Sequence, residues 1–233
     1  HSYHRLSVQN FRNASPQNYV PAIRDLNALG YFVVRIGDKN MAPLEASDLD
    51  LIDLPRHSKY RYELDPYFID CAEFLITCQS GPCAYGRAFG KPNLSVNAVY
   101  HYTLIPEIQE MVAFKKYYNI SDLSKTELSY EELLSRDLQL ISLAPQLADA
   151  GIAVEELSPE EIQAAVADMV AWLAEPEAAA SARQETFSAL TENALARLAA
   201  SPSHQKAMTD YIGYALPEYR VSDRVAAARQ GYL

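Results

Sequence analysis

The stretch from position 78 to 82, CQSGP, follows an apolar run and precedes a segment with helical spacing. At a strand-to-helix connection, small polar residues and glycine can present backbone N–H groups to a phosphate. Gln79, Ser80 and Gly81 are therefore candidate ligand-binding residues, with a hydroxyl donor from Ser80 and close backbone approach at Gly81. The pattern is neither a Walker loop nor GxGxxG. A simple connecting turn is the alternative interpretation.

Two arginines lie near the ends of other predicted elements, one at the end of a strand and one before a helix. Arg35 closes the run YFVVR and is followed by Gly37 and Asp38, and Arg12 and Asn13 precede the first predicted helix. An arginine in an otherwise apolar strand is costly unless it meets a partner or a ligand. An arginine beside a helix start can hold an anion. The alternatives are a salt bridge for Arg35 and a solvated loop for Arg12.

The residues that could act as a nucleophile, as a general base or as metal ligands are weaker candidates. His4 beside Arg5 could act as a base, although a surface histidine is the preferred interpretation. Cys83 could be activated at a helix N-terminus, but no spacing pairs it with His57 or His101, and a small buried cysteine is preferred. The histidines and carboxylates have no HExxH or His-x-His spacing, so we predict no protein-bound metal.

The composition is that of an acidic globular protein. The chain has 233 residues, 49% hydrophobic content and a net charge of −10, which argues against broad nucleic-acid binding. It has no apolar run long enough to span a membrane and no apolar signal-peptide region. Three cysteines without a CxxC pair favour free thiols in a reducing compartment. The sequence therefore predicts a cytoplasmic protein. It does not begin with methionine, and we expect it to be a piece of a longer protein.

Strand-like and helix-like segments alternate along the first 175 residues. Ser129 and Ser158 are predicted helix N-caps, and Glu132 completes a capping box with Ser129. This alternation of strands and helices predicts an α/β fold, with a parallel sheet flanked by helices over residues 1–175. Residues 176–233 are Ala-rich and are predicted to form a helical C-terminal extension. The predicted strands are 1–8, 31–37, 49–54, 74–77, 93–97 and 151–157, and the predicted helices are 15–30, 62–74, 82–89, 127–136, 158–173, 176–200 and 201–216.

Several segments taken together resemble a known family. FRNASPQNYVPAIRDLNALGYFVVRIGDKNMAPL, LIDLPRHSKY, FLITCQSG and AFGKPNLSVN occur in the order of the motifs of a bacterial glycosyltransferase family from surface-carbohydrate gene clusters. That family is distantly similar to the fucosyltransferases of GT-B fold. The resemblance covers about residues 10–175 and includes the later segments FKKYYN and ELSYEELL. An HxR element on the first strand is not matched, and His4-Arg5 is its nearest equivalent.

The resemblance implies a GT-B architecture of two Rossmann-like halves, of which this chain would be mainly the donor-binding C-terminal half. The implied activity is transfer of a sugar from a nucleoside-diphosphate sugar to a glycan or lipid-linked acceptor, without a metal or other cofactor. The acceptor-binding half would lie in a missing N-terminal domain or a partner chain, with peripheral membrane association through the acceptor. The residues assigned to the donor site are Arg12, Asn13, Arg35, Gly37, Asp38, Asp65, Gln79, Ser80, Gly81 and Asn97.

Individual roles follow from the same resemblance. The turn at Ser80 and Gly81 would cradle the diphosphate, and Arg12 or Arg35 would neutralise the charge on the leaving group. Asp65 would orient an arginine or a sugar hydroxyl, and the catalytic base is not assigned. Two alternatives stay open: a nucleotide-sugar-binding module without turnover, and an interaction protein that uses the helices of 176–233.

Overall fold

The computed structural model describes residues 10–44, 46–79, 81–99, 110–141, 143–200 and 219–233. Several sequence predictions fall outside these ranges and stay predictions. They are the strand at 1–8 with His4 and Arg5, the roles of Ser80 and His101, and the helix at 201–216.

Short strands, most of them paired in parallel, organise the chain. The strands of the described residues are β1 (Val33–Arg35), β2 (Leu51–Asp53), β3 (Leu75–Thr77), β4 (Asn93–Ala98), β5 (Glu110–Phe114), β6 (Lys116–Asn119), β7 (Ile152–Glu155) and β8 (Tyr219–Val221). The main sheet has the order β3-β4-β5-β8, with every pair parallel. β1 and β2 form a parallel pair, and β6 and β7 form an antiparallel pair.

Helices follow most of the strands, and two of them start as the sequence predicts. Ser129 and Ser158 cap their helices in complete capping boxes with Glu132 and Glu161. The helices of the described residues are α1 (Val20–Ala28), α2 (Leu64–Cys71), α3 (Pro82–Ala88), α4 (Tyr130–Ser135), α5 (Ala144–Asp149), α6 (Pro159–Ala174), α7 (Ala182–Ala199) and α8 (Asp223–Ala228). None of them is both long and apolar enough to cross a membrane.

The main sheet is covered on both faces. Because side chains alternate along a strand, β5 directs Met111 and Ala113 to one face and Val112 and Phe114 to the other. The first face packs against α1 and α6, and the second packs against α4 and α7. β4 and β5 are buried along their whole length, as expected for parallel strands with helices on both sides. The predicted α/β architecture with a parallel sheet and flanking helices is confirmed.

The C-terminal part of the chain contributes a strand as well as helices. Residues 176–233 were predicted to be helical, and α7 and α8 are helices, but β8 is the edge strand of the main sheet. β8 has only three residues, and its strand conformation depends on pairing with β5, where Glu110 lies opposite Tyr219. A segment this short has too little periodicity to be recognised from sequence.

Candidate functional site at the carboxyl edge of the main sheet

Polar side chains gather where the strands of the main sheet end. Gln79 follows β3, Asn97 lies near the end of β4, and Lys115 follows β5. The carboxyl ends of parallel strands lie along the same edge of a sheet, where open α/β folds bind their ligands. We refer to Arg12, Asn13, Tyr19, Gln79, Asn97, Lys115 and Glu156 as the edge cluster.

The segment before α1 links two of these strand ends. The guanidinium of Arg12 donates a hydrogen bond to the main-chain carbonyl of Gln79. Lys115 Nζ donates to the carbonyl of Asn13 at 2.5 Å. Two cationic side chains, about a hundred positions apart in sequence, are therefore brought to the same edge. The assignment of Arg12 and Asn13 to a ligand site stays a prediction, and the structure places these two residues beside Gln79 and Lys115.

Gln79 and Asn97 both have left-handed backbone conformations. Their φ angles are 52° and 56°, in a region that costs a non-glycine residue about 1–2 kcal/mol. The side chain of each compensates by bonding neighbouring backbone. Gln79 Oε1 accepts from the Val99 N–H at 2.8 Å, and Asn97 Oδ1 accepts from the Leu157 N–H at 2.7 Å. Strained positions of this kind concentrate at functional sites.

Lys115 is the most unusual charge of the edge cluster. It is only 3% exposed, and in the described residues its ammonium has one hydrogen-bond acceptor, the Asn13 carbonyl. An ammonium group has three N–H donors, so two remain available. Burial lowers the pKa of Lys115, and the nearby Glu156 and Cys78 partly oppose this effect. No carboxylate of the described residues pairs with Lys115, and an incoming anion would relieve its desolvation.

Glu156 faces the same region from the segment after β7. Its Oε2 accepts hydrogen bonds from the Ser15 N–H at 2.9 Å and from Asn18 Nδ2 at 3.4 Å. Within the described ranges, Oε1 accepts no hydrogen bond and can receive one from a ligand. Tyr19 accepts from Asn97 Nδ2 at 3.4 Å, and burial raises the pKa of its hydroxyl, which is therefore neutral at physiological pH.

Arg35 forms an ion pair and a hydrogen bond within the protein. Its guanidinium pairs with Asp53 Oδ2 at 3.0 Å across β1 and β2, and it donates to the Ala42 carbonyl at 2.8 Å. Its side chain is 11% exposed. Between the two interpretations of Arg35, the structure shows the salt bridge. None of its hydrogen bonds to described residues reaches the edge cluster.

Gly37, Asp38 and Asp65 lie near the end of β1, as Arg35 does, and are bonded to other partners than the edge cluster. The Tyr60 hydroxyl is 3.2 Å from the Gly37 carbonyl and 3.0 Å from Asp65 Oδ2. Burial raises the pKa of Asp65, and the hydrogen bond from Tyr60 opposes this rise. Asp38 Oδ1 accepts from the Asn40 N–H at 2.7 Å, which closes a turn. The hydrogen bonds of the described residues thus join Gly37 and Asp65 through Tyr60, and none of those bonds links them to the edge cluster.

Gly81 stands directly before α3 and has ordinary helical dihedral angles, with φ of −48°. A Cβ added at Gly81 would have open space around it. Its conformation therefore does not require glycine. Cys83, in the first turn of α3, is buried as preferred from sequence. The described residues contain no group of three or more His, Cys, Asp or Glu side chains arranged to hold a metal.

The two glycines of the predicted site are expected to respond differently to alanine. Gly37→Ala should lower the free energy of unfolding by about 1–3 kcal/mol, because φ is 138° and the new Cβ would also displace the flexible end of the Met41 side chain. Gly81→Ala should change it by less than about 0.5 kcal/mol. Urea unfolding of both variants measures the difference, and equal losses would contradict this assignment.

Sequence reasoning missed three members of the edge cluster: Tyr19, Lys115 and Glu156. For Lys115 a signal was present, because it directly follows the apolar run MVAF, as Arg35 follows YFVV. That run was not recognised as a strand, so the lysine was not placed at a strand end. Tyr19 and Glu156 carry no comparable local signal.

Comparisons with protein-family models, with curated proteins and with solved structures found no match.

Proposed function

We propose that this chain is the donor-binding half of a glycosyltransferase, which holds the diphosphate of a nucleoside-diphosphate sugar at the edge cluster. The observation that carries the proposal is the convergence of Arg12 and Lys115 at the carboxyl edge of the parallel main sheet. The ordered resemblance of residues 10–175 to a GT-B glycosyltransferase family supports the sugar-transfer chemistry.

The positive charges of the edge cluster favour a ligand that carries an anionic group. Lys115 has two N–H donors available and is buried without an ion-pair partner in the described part of the chain. A phosphate offers several acceptor oxygens, and charge-assisted hydrogen bonds are about twice as strong as neutral ones. The overall charge of −10 makes this local positive pair selective for a compact anion over nucleic acid.

The neighbouring polar groups favour a ligand that also carries hydroxyls. Glu156 Oε1 can accept a hydrogen bond, and Tyr19 and Asn97 supply hydroxyl and amide groups within the same cluster. A carboxylate beside a cation repels bare phosphate but binds sugar hydroxyls. This combination fits a sugar attached to phosphate better than inorganic phosphate or pyrophosphate.

In this proposal the cations act on the leaving group. As the bond between the anomeric carbon and the diphosphate oxygen breaks, negative charge grows on the nucleoside diphosphate. Arg12 and Lys115 stabilise that charge, which is how fixed cations lower such barriers. The acceptor, a glycan or a lipid-linked glycan on the cytoplasmic side, supplies the hydroxyl whose oxygen forms the new bond to the anomeric carbon. The GT-B partner half brings this hydroxyl to the donor and supplies the general base that takes its proton.

Calorimetric titration with GDP, UDP, CDP and CMP tests the donor site. We expect one nucleotide to bind, and Arg12→Ala to weaken it about 10- to 100-fold through loss of a charged hydrogen-bonding group. Arg35→Ala is the comparison, because its guanidinium is paired with Asp53 instead. Absence of binding to every nucleotide by the folded chain, or equal losses in both variants, would contradict the proposal.

Hydrolysis of the matching nucleotide sugar then separates an active transferase from a binding module. Release of free sugar by the chain, slowed by Arg12→Ala, supports turnover at this site. Tight binding without release of sugar, in the presence or absence of glycan acceptors, would favour the non-catalytic module.

A further inference from the structure

Arg229, from the segment after α8, is buried directly behind Lys115. Its Nη1 donates to the Phe114 carbonyl at 3.0 Å, and its Nη2 donates to the Lys115 carbonyl at 3.2 Å. Its side chain is 3% exposed. A guanidinium presents its donors in a rigid planar fork, so these two bonds fix the end of β5 in one orientation.

Arg229 is itself held by two neighbours. Its guanidinium pairs with Glu127, and it lies over the ring of Tyr232 at 3.8 Å from the ring centre. The Tyr232 carbonyl accepts a hydrogen bond from the Tyr130 N–H at 2.8 Å. Arg229 is therefore also held from outside the edge cluster, by Glu127 before α4 and by Tyr232, which is bonded to the first residue of α4.

The main chain of Lys115 is held from both sides. Its N–H donates to the Ala98 carbonyl at 2.9 Å, and its carbonyl accepts from Arg229 at 3.2 Å. With both backbone groups fixed, the Cα–Cβ bond of Lys115 keeps one direction, and from there the ammonium reaches the Asn13 carbonyl. Loss of the hydrogen bonds from Arg229 would leave the Phe114 and Lys115 carbonyls unrestrained, so that the end of β5 could move and the Lys115 ammonium could reach water.

We propose that Arg229 is a positioning residue of the edge cluster, which fixes the backbone at Phe114 and Lys115 and so keeps the Lys115 ammonium buried and aimed at the ligand. What Lys115 binds rests on the proposed function, but its positioning by Arg229 does not. The residues around 229–232 thereby control the anion site from the opposite side of the β5 end.

Arg220 is a matched control within the same part of the chain. It also donates to two main-chain carbonyls, those of Pro176 and Ala178, at 3.4 and 3.3 Å. It also lies over an aromatic ring, that of Trp172, at 4.7 Å. Arg220 packs on the other face of the main sheet, so its replacement removes similar interactions without touching Lys115.

The test follows Lys115 directly by NMR titration of the lysine side chains, with its signal assigned by Lys115→Arg. In the unchanged chain, Lys115 should titrate below the other lysines. In Arg229→Gln its pKa should rise toward that of an ordinary lysine, because the ammonium becomes solvated, while Glu156 and Cys78 are present in all variants. Arg220→Gln should leave the Lys115 titration unchanged. Affinity for the nucleotide that binds should fall about tenfold in Arg229→Gln only.

An unchanged Lys115 titration in folded Arg229→Gln would overturn the positioning role. Arg229→Lys is the second test variant, because it keeps the positive charge but lacks the planar guanidinium that bonds both carbonyls. It should move the Lys115 titration upward by a smaller amount, and no movement would again overturn the proposal. If no nucleotide binds to any form, the proposed function fails, while the titration still decides the role of Arg229.

Discussion

Replacing Glu110 by alanine is expected to lower the free energy of unfolding by about 3–5 kcal/mol, the cost of breaking a buried charged network. Glu110 is 2% exposed. Its Oε1 accepts from Asn93 Nδ2 at 3.1 Å and from Ser95 Oγ at 2.9 Å, and Arg87 Nη2 lies 3.4 Å from both oxygens. Alanine would leave these buried donors without the carboxylate. Urea unfolding at neutral pH measures the loss.

Glu110→Gln is the matched control, because its amide oxygen can keep the hydrogen bonds from Asn93 and Ser95 while the charge is removed. It should lose clearly less than the alanine variant. The network also includes the last residue of β3, since Thr77 Oγ1 donates to Asn93 Oδ1 at 2.9 Å. A loss below about 1 kcal/mol for Glu110→Ala would show that the network is not a main support of the sheet.

The pH dependence of stability gives an independent measure of Glu110. Burial raises its pKa above the usual 4.5, with Arg87 and the hydrogen bonds opposing. Between 4.5 and this raised value, the folded state binds more protons than the unfolded state. The part of the stability that is linked to this proton is therefore present at low pH and is lost as the pH rises through this window, while the hydrogen bonds to Asn93 and Ser95 remain. Glu110→Gln should remove that slope.

Lys115→Met is expected to bind nucleotide about 10- to 100-fold more weakly, because it removes a charged donor from the anion site. The same change should raise the free energy of unfolding by about 1 kcal/mol, since a buried ammonium without an ion-pair partner in the described residues is replaced by an apolar side chain of similar length. Calorimetry and urea unfolding of the same preparation measure both effects. A more stable protein that no longer binds its ligand is typical of a residue kept for function.

Lys116→Met is the control at the neighbouring position. Lys116 Nζ pairs with Glu161 Oε1 at 2.7 Å, with 23% of its side chain exposed. This variant should lose stability and keep its nucleotide affinity, the opposite of Lys115→Met. Reduced stability with unchanged affinity in Lys115→Met would contradict the anion-site assignment.

The lowered pKa of Lys115 also predicts a pH effect of the opposite sign to that of Glu110. Between the lowered pKa of Lys115 and the usual lysine value of 10.5, the folded state binds fewer protons than the unfolded state. Stability therefore rises with pH in this window, and Lys115→Met should abolish the rise.

Features that depend on near neighbours were predictable from the sequence. The capping box at Ser129 and the N-cap at Ser158 depend on residues three positions apart, and both form as predicted; Glu161 completes a second capping box with Ser158. The alternation of strands and helices was sufficient to predict a parallel sheet covered by helices. In each case the interactions that decide the structure lie within a few residues or repeat with the period of the element.

The members of the candidate site were decided by strand register and strand order. Arg35 could be read from sequence as a ligand-binding residue or as half of a salt bridge, and pairing of β1 with β2 places Asp53 opposite it. Lys115 joins Arg12 only because β3, β4 and β5 lie side by side in the main sheet and the segment before α1 contacts the ends of both β3 and β5. Periodicity along one strand reports which face is buried but contains no information about which distant strand lies beside it. For that reason the fold class could be predicted from the sequence, while the grouping of charges at the sheet edge required the tertiary structure.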